Sequence, residues 1–164
     1  MAKMIEVNVV GLIIDPVSKS PVMILKPLHD KKIIPIWIGM FEANAIALEL
    51  EKIASPRPMT HDLIKSIMSQ LHADIEKVII TDIIENTYYA ELYINNEGQV
   101  RIIDCRPSDA VAMALKNRAK IFVSEQVLET SMMSEMFTNF LDSQDKIDEW
   151  FNSLTLEDFG GVEQ

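Results

Sequence analysis

The chain has a single cysteine in 164 residues, Cys105, so no disulfide can close within it and a reducing cytoplasm is the expected compartment. Long apolar runs are also missing. The longest, such as residues 9–14, fall far short of the roughly 20 residues a membrane-spanning helix needs. The first residues alternate like a strand and lack the apolar core of a secretory signal, so no membrane role is expected. Glycines number only five, and neither a phosphate-cradling glycine loop nor a Walker sequence is among the motifs. With three histidines beside the lone cysteine, no zinc-spaced Cys/His set can be drawn. These absences remove many common enzyme classes.

What is present is apolar and unevenly acidic. Hydrophobic residues make up 48% of a chain long enough to bury roughly 70% of its unfolded surface without staples. The net charge of −10 opposes nucleic-acid binding until it is divided along the sequence. Residues 125–164 hold ten acidic residues against Lys146 alone, a net of −9, whereas residues 1–124 hold fifteen acids and fourteen bases, a net of −1. A nearly neutral domain with a local basic cluster can still meet a phosphate. The expected organisation is therefore a domain over residues 1–128 and an acidic helical tail over 129–164.

Residues 4–14, 21–26 and 33–38 are rich in Val and Ile and separated by turn material, which predicts an antiparallel meander. Three-and-four apolar spacing predicts helices over 41–52, over 63–71 (Leu63, Ile64, Ile67, Met68, Leu71) and after Ser108. Strands return at 75–82, 87–95 and 99–104, with Asn95-Asn96-Glu97-Gly98 as a hairpin turn, and a short strand follows at 121–124. The fold class this implies is α+β, a mixed or antiparallel sheet with three packed helices and a C-terminal helical tail. Trp37, in an apolar strand, is expected in the core.

Two segments nearly repeat each other: Arg57-Pro58-Met59-Thr60-His61-Asp62 and Asp104-Cys105-Arg106-Pro107-Ser108-Asp109. Each sets an Arg-Pro step, a hydroxyl residue and an aspartate at the start of a helix, where cation, carboxylate and free amides converge. Thr60 reads as the N-cap of the first helix. In the second, either Ser108 caps or Pro107 takes the first helical position with Asp109 reaching back. Capping alone accounts for Thr60, Ser108 and Asp109, but not for the two arginines.

Metal-assisted phosphodiester cleavage needs carboxylates to hold a divalent ion, a base and cations for developing charge. Residues of each kind stand near predicted element ends. Asp104, Asp109 and Glu42 are the candidate ligands for a divalent ion such as Mg2+, and Asp62, Asp104, Asp109 and His61 are the candidate catalytic groups. Arg57 and Arg106, with Thr60 and Ser108, are the candidate phosphate binders. His61 reads equally as an ordinary first-turn polar residue, Glu49 as part of a solvated face, and Cys105 as a small buried residue rather than a nucleophile.

The string Pro35-Ile36-Trp37-Ile38-Gly39 followed by Phe41-Glu42-Ala43, then the two Arg-Pro segments in order, closely resembles the bacterial and plant bifunctional nuclease domain family over residues 4–128. That resemblance implies a compact, self-associating α+β domain with nuclease activity on DNA and RNA. Nucleic acid is thus the expected partner and a homo-oligomer the expected state. The competing expectation is a non-catalytic oligomeric regulator or anion-binding module in which Arg57 and Arg106 form structural ion pairs. The tail carries apolar residues at helical spacing (Phe137, Phe140, Leu141; Ile147, Trp150, Phe151, Leu154). It either packs on the domain or, being acidic, competes with nucleic acid for the arginine-bearing surface.

Overall fold

The computed structural model describes residues 3–131, so the expected tail lies outside the described residues apart from its first three. The elements follow the order β1 (Met4–Ile14), β2 (Pro21–Pro27), β3 (Ile34–Trp37), α1 (Met40–Leu50), α2 (Thr60–Gln70), β4 (Ala73–Ile84), β5 (Thr87–Asn96), β6 (Gln99–Cys105), α3 (Pro107–Asn117), β7 (Lys120–Ser124) and α4 (Glu125–Thr130). This is the expected α+β class.

Two antiparallel meanders, β1-β2-β3 and β4-β5-β6, are joined by β7 into one seven-stranded sheet ordered β3-β2-β1-β7-β4-β5-β6. β7 runs antiparallel to β1 and parallel to β4, pairing Ile121 with both Val7 and Val78. The meander turns follow from local chemistry. Both two-residue loops of the second meander, Glu85-Asn86 and Glu97-Gly98, have positive φ at each position, as the twist of a tight hairpin requires.

Helices α1 to α3 lie on one side of the sheet. The buried residues of α1 and α3 share a cluster with Met23, Leu25, Val78 and Ile80, and Met68 of α2 packs against it. α3 is the central helix, buried from Pro107 through Ala114 except at Asp109. Its alanines at 110 and 114, with Ala43 and Ala47 of α1, let the two helices approach closely within that core. Among the described residues no helix is long and apolar enough to cross a membrane.

One expectation about an apolar residue is corrected. Trp37 is about half exposed, because alternation along β3 turns Ile34 and Ile36 inward and Trp37 to the other face. Its indole N–H donates to Asp15 Oδ2 at 2.9 Å. More consequentially, α2 buries only His61 fully, while Leu63, Ile64, Ile67 and Leu71 all remain exposed. The helix is amphipathic, yet of its apolar stripe only Met68 packs against the core.

Candidate functional site

The first turns of three helices meet around one ion-paired chain. Pro107 opens α3 at its first helical position and holds Arg106 extended (φ −72, ψ 147) beside it. From there Arg106 Nε donates to Asp109 Oδ2 at 2.7 Å and Nη1 to Glu42 Oε1 at 2.8 Å. The other oxygen of Asp109 lies 3.0 Å from His61 Nε2. Glu42 and Asp109 occupy the third positions of α1 and α3, and His61 the second of α2, so the carboxylates sit where helix dipoles favour negative charge. Gly39, the residue before α1, makes room for this: a Cβ there would stand 2.0 Å from Glu42 Oε2.

Charge fixes the histidine tautomer. Burial pushes the Asp109 carboxyl up, but hydrogen bonds from Arg106 and His61 and their charges outweigh it, holding the group below its ordinary value. An ionised carboxylate only accepts, so Nε2 carries the proton shared with Asp109 and the neutral ring's lone pair lies on Nδ1. Nδ1 has no partner among the described residues, and His61 is one of the residues lining an open groove.

That groove has a volume of about 1020 Å³ and lies between the end of α1, the connector over 51–59, the start of α2 and the end of α3. Its charged lining comprises Lys52, Lys65, Lys116 and Arg118 against Glu49 and Asp62, a cationic surplus in a chain of net charge −10. Lys116 Nζ bridges Glu49 Oε1 and Asp62 Oδ1, tying all three helices together. Burial lowers the Lys116 ammonium, and the two carboxylates more than reverse this, leaving it above its usual value. Asp62 shows the mirror case: burial raises it, but Lys116 and the Met59 amide bring it below the ordinary value. Lys65 reaches over to donate to the Lys116 carbonyl at 2.9 Å.

The two Arg-Pro segments therefore touch through His61 and Asp109, but their members scatter. Arg106, Asp109, His61 and Glu42 share one chain of contacts. Asp62 belongs to the neighbouring Lys116 bridge. Arg57 is exposed in the connector with no hydrogen bond or ion pair among the described residues. Thr60 is exposed and is not the N-cap; Met59 is, because Asp62 Oδ2 reaches back to accept its N–H at 2.9 Å. Ser108 is buried as the second residue of α3 and does not cap either. Asp104 stands apart. Cys105 packs on the helix-covered core, so alternation turns Asp104 to the opposite face, across from Glu91.

The Cys105 thiol is pushed up to about 11, chiefly by burial and then by nearby carboxylates, and it donates to the Ala90 carbonyl, which suits a packed residue. Among the described residues no three His, Cys, Asp or Glu side chains come together as a metal would need, and Arg106 bridges the carboxylates of Glu42 and Asp109. Glu49, read as solvated, and Lys116, not singled out, prove central. Their separation of 67 residues leaves no local sequence signal of the pairing.

Comparison with known proteins fits this architecture. An uncharacterized protein of Mycobacterium tuberculosis is 37% identical over 162 residues, covering 94% of this chain and 97% of its own. Bifunctional nuclease 1 of rice is 26% identical over 98 residues, 58% of this chain and 30% of its own. Bifunctional nuclease 2 of Arabidopsis thaliana is 22% identical over 115 residues, 68% and 35% respectively. The profile of the bifunctional nuclease domain matches residues 23–136, which include α1, α2 and α3 with every contact of the His61–Asp109–Arg106–Glu42 chain. The chain belongs to the bifunctional nuclease domain family.

Proposed function

We propose that this protein is a nuclease that hydrolyses phosphodiester bonds at the groove beside His61. The observation that carries the reading is the His61–Asp109 pair at 3.0 Å, with the second ring nitrogen unpartnered among the described residues and His61 lining a groove of surplus positive charge. In this reading Nδ1 of His61 accepts the proton of the attacking water as its oxygen bonds to phosphorus, and that proton returns to the oxygen that leaves. Asp109 is a positioning residue: it fixes the ring and stabilises its protonated form. Lys52, Lys65 and Arg118 hold phosphates along the groove, and Arg106 keeps Nη2 free for one more. The names of the plant relatives support the activity. The described donors do not converge as a resident metal centre requires.

A second reading rests on the mutual pairing of Glu42, Arg106 and Asp109, and of Glu49, Lys116 and Asp62: a non-catalytic module whose ion pairs fix helix geometry. One experiment separates the two. The purified full chain and its His61→Ala variant are incubated with end-labelled RNA and DNA oligonucleotides, with Mg2+ and with EDTA. Cleavage that the variant loses supports the nuclease. Equal cleavage by both assigns the activity to a contaminant, and none by either leaves the non-catalytic module. Loss of cleavage in EDTA alone would return a divalent ion to the mechanism.

A further inference from the structure

Phe41 leaves its side chain almost wholly in solvent, 89% exposed, the highest value of any large hydrophobic residue among those described. The fold does not account for it there. Met40, the residue before, packs against the core, and Ala43 and Asn44, just after, are buried, so α1 is seated without Phe41. Nor does the helix favour it, since the restricted χ1 of an aromatic residue lowers helix propensity.

Its position on α1 relates the ring to the groove. At 3.6 residues per turn, Phe41, Ala45 and Leu48 fall within about 60° of one another around the helix. Ala45 and Leu48 line the groove that His61 also lines, so the wall supplied by α1 continues toward Phe41. Phe41 stands about 6 Å before Ala45 along the axis, at the end of that wall where the helix begins. The residue after it, Glu42, accepts from Arg106, which shares Asp109 with His61.

We propose that Phe41 stacks against an unpaired base of a nucleic-acid strand lying in the groove, which makes single-stranded rather than duplex nucleic acid the preferred substrate. The inference rests on the nuclease reading above and narrows its substrate class. Cations and rings divide the work. Lys52, Lys65, Lys116 and Arg118 outnumber Glu49 and Asp62 along the groove, which suits a phosphate backbone. Near Phe41 the charge of Arg106 is offset by Glu42 and Asp109, so a strand gains less there from charge and more from an apolar surface. Exposed aromatic rings beside a cationic groove are how single strands are held without sequence preference, because every base has a π-face. In a duplex those faces are covered by neighbouring bases, and freeing one costs unstacking and unpairing.

Fluorescence anisotropy of end-labelled oligonucleotides tests this, with the full chain carrying His61→Ala so that the strand is not consumed. Adding Phe41→Ala should weaken binding of a single strand on the order of 10-fold, and Phe41→Tyr should retain it. An abasic strand of the same length, and the matching duplex, should bind equally with and without Phe41→Ala. The salt dependence should keep its slope, since no phosphate contact is lost. Unchanged single-strand affinity in Phe41→Ala would overturn this proposal and leave the nuclease reading standing. Equal weakening on the abasic strand would also overturn it, because the ring would then act on something other than a base. No binding of any strand would end both.

Discussion

His61 Nε2 and Asp109 Oδ1 lie 3.0 Å apart, and this contact joins the two Arg-Pro segments across 48 residues of sequence. Replacing His61 by Ala removes the proposed base, for which a loss of cleavage rate of roughly 10²- to 10⁴-fold is expected. Asp109→Asn leaves the ring in place but presents an amide that no longer selects the Nε2-protonated form, so its rate falls as well. Combined, the two substitutions should cost little more than His61→Ala alone, because they act as one unit. Initial rates on a labelled oligonucleotide, with circular dichroism as a fold control, decide this, and full additivity would dissociate the pair.

Gly39 and Glu42 form a second testable unit. Gly39→Ala places a methyl group 2.0 Å from Glu42 Oε2, and the flexible carboxylate yields by turning away from Arg106. The Arg106 side chain is 64% exposed, so losing one partner should cost at most about 1 kcal/mol of stability. Glu42→Gln should reproduce the effect, and the double variant should add nothing further. Urea midpoints measure all three. A loss of several kcal/mol for Gly39→Ala would mean the backbone, rather than Glu42, gives way.

The Lys116 bridge is more deeply set. Its side chain is 11% exposed, and removing it leaves Glu49 and Asp62 facing each other across the start of the groove. Lys116→Met should therefore destabilise by about 2 kcal/mol, between the values for exposed and fully buried pairs. Neutralising both carboxylates as well, Glu49→Gln with Asp62→Asn, should restore much of the loss. A triple variant no more stable than Lys116→Met would show that packing of the lysine stem, not charge, accounts for the cost.

These pairs mark where the sequence could be read and where it could not. Apolar and β-branched runs between turn residues located the strands of the sheet, and of the two starts left open for α3 the structure takes the one with Pro107 first, because those signals act over a few residues. The orientation of α2 escaped the same reasoning. Leu63, Ile64, Ile67 and Leu71 have the spacing of a buried face, but His61, Asp62 and Lys65 have long-range partners on α3 that turn the polar side inward. Spacing reports that a face is apolar and is silent about what meets it. Trp37 failed for a related reason: strand alternation set its face, and a carboxylate 22 residues earlier gave its indole N–H a partner at the surface.

That carboxylate supplies the last prediction. Asp15 is held at about 2 against an ordinary 3.8, first by the Trp37 indole N–H and then by the Val17 amide and the Ser18 hydroxyl. A carboxyl group lowered on folding stabilises the native state fully above its unfolded value and loses that contribution as pH falls through the folded one. The contribution from Asp15 is thus intact above about pH 4 and disappears toward pH 2. Trp37→Phe removes the largest cause while keeping an aromatic ring on β3. The variant should be less stable than the wild type at neutral pH, and the gap should close between pH 3.8 and about 2. Thermal midpoints across that range measure it. A gap that stays constant with pH would assign the effect of Trp37 to packing on β3 instead of to its hydrogen bond.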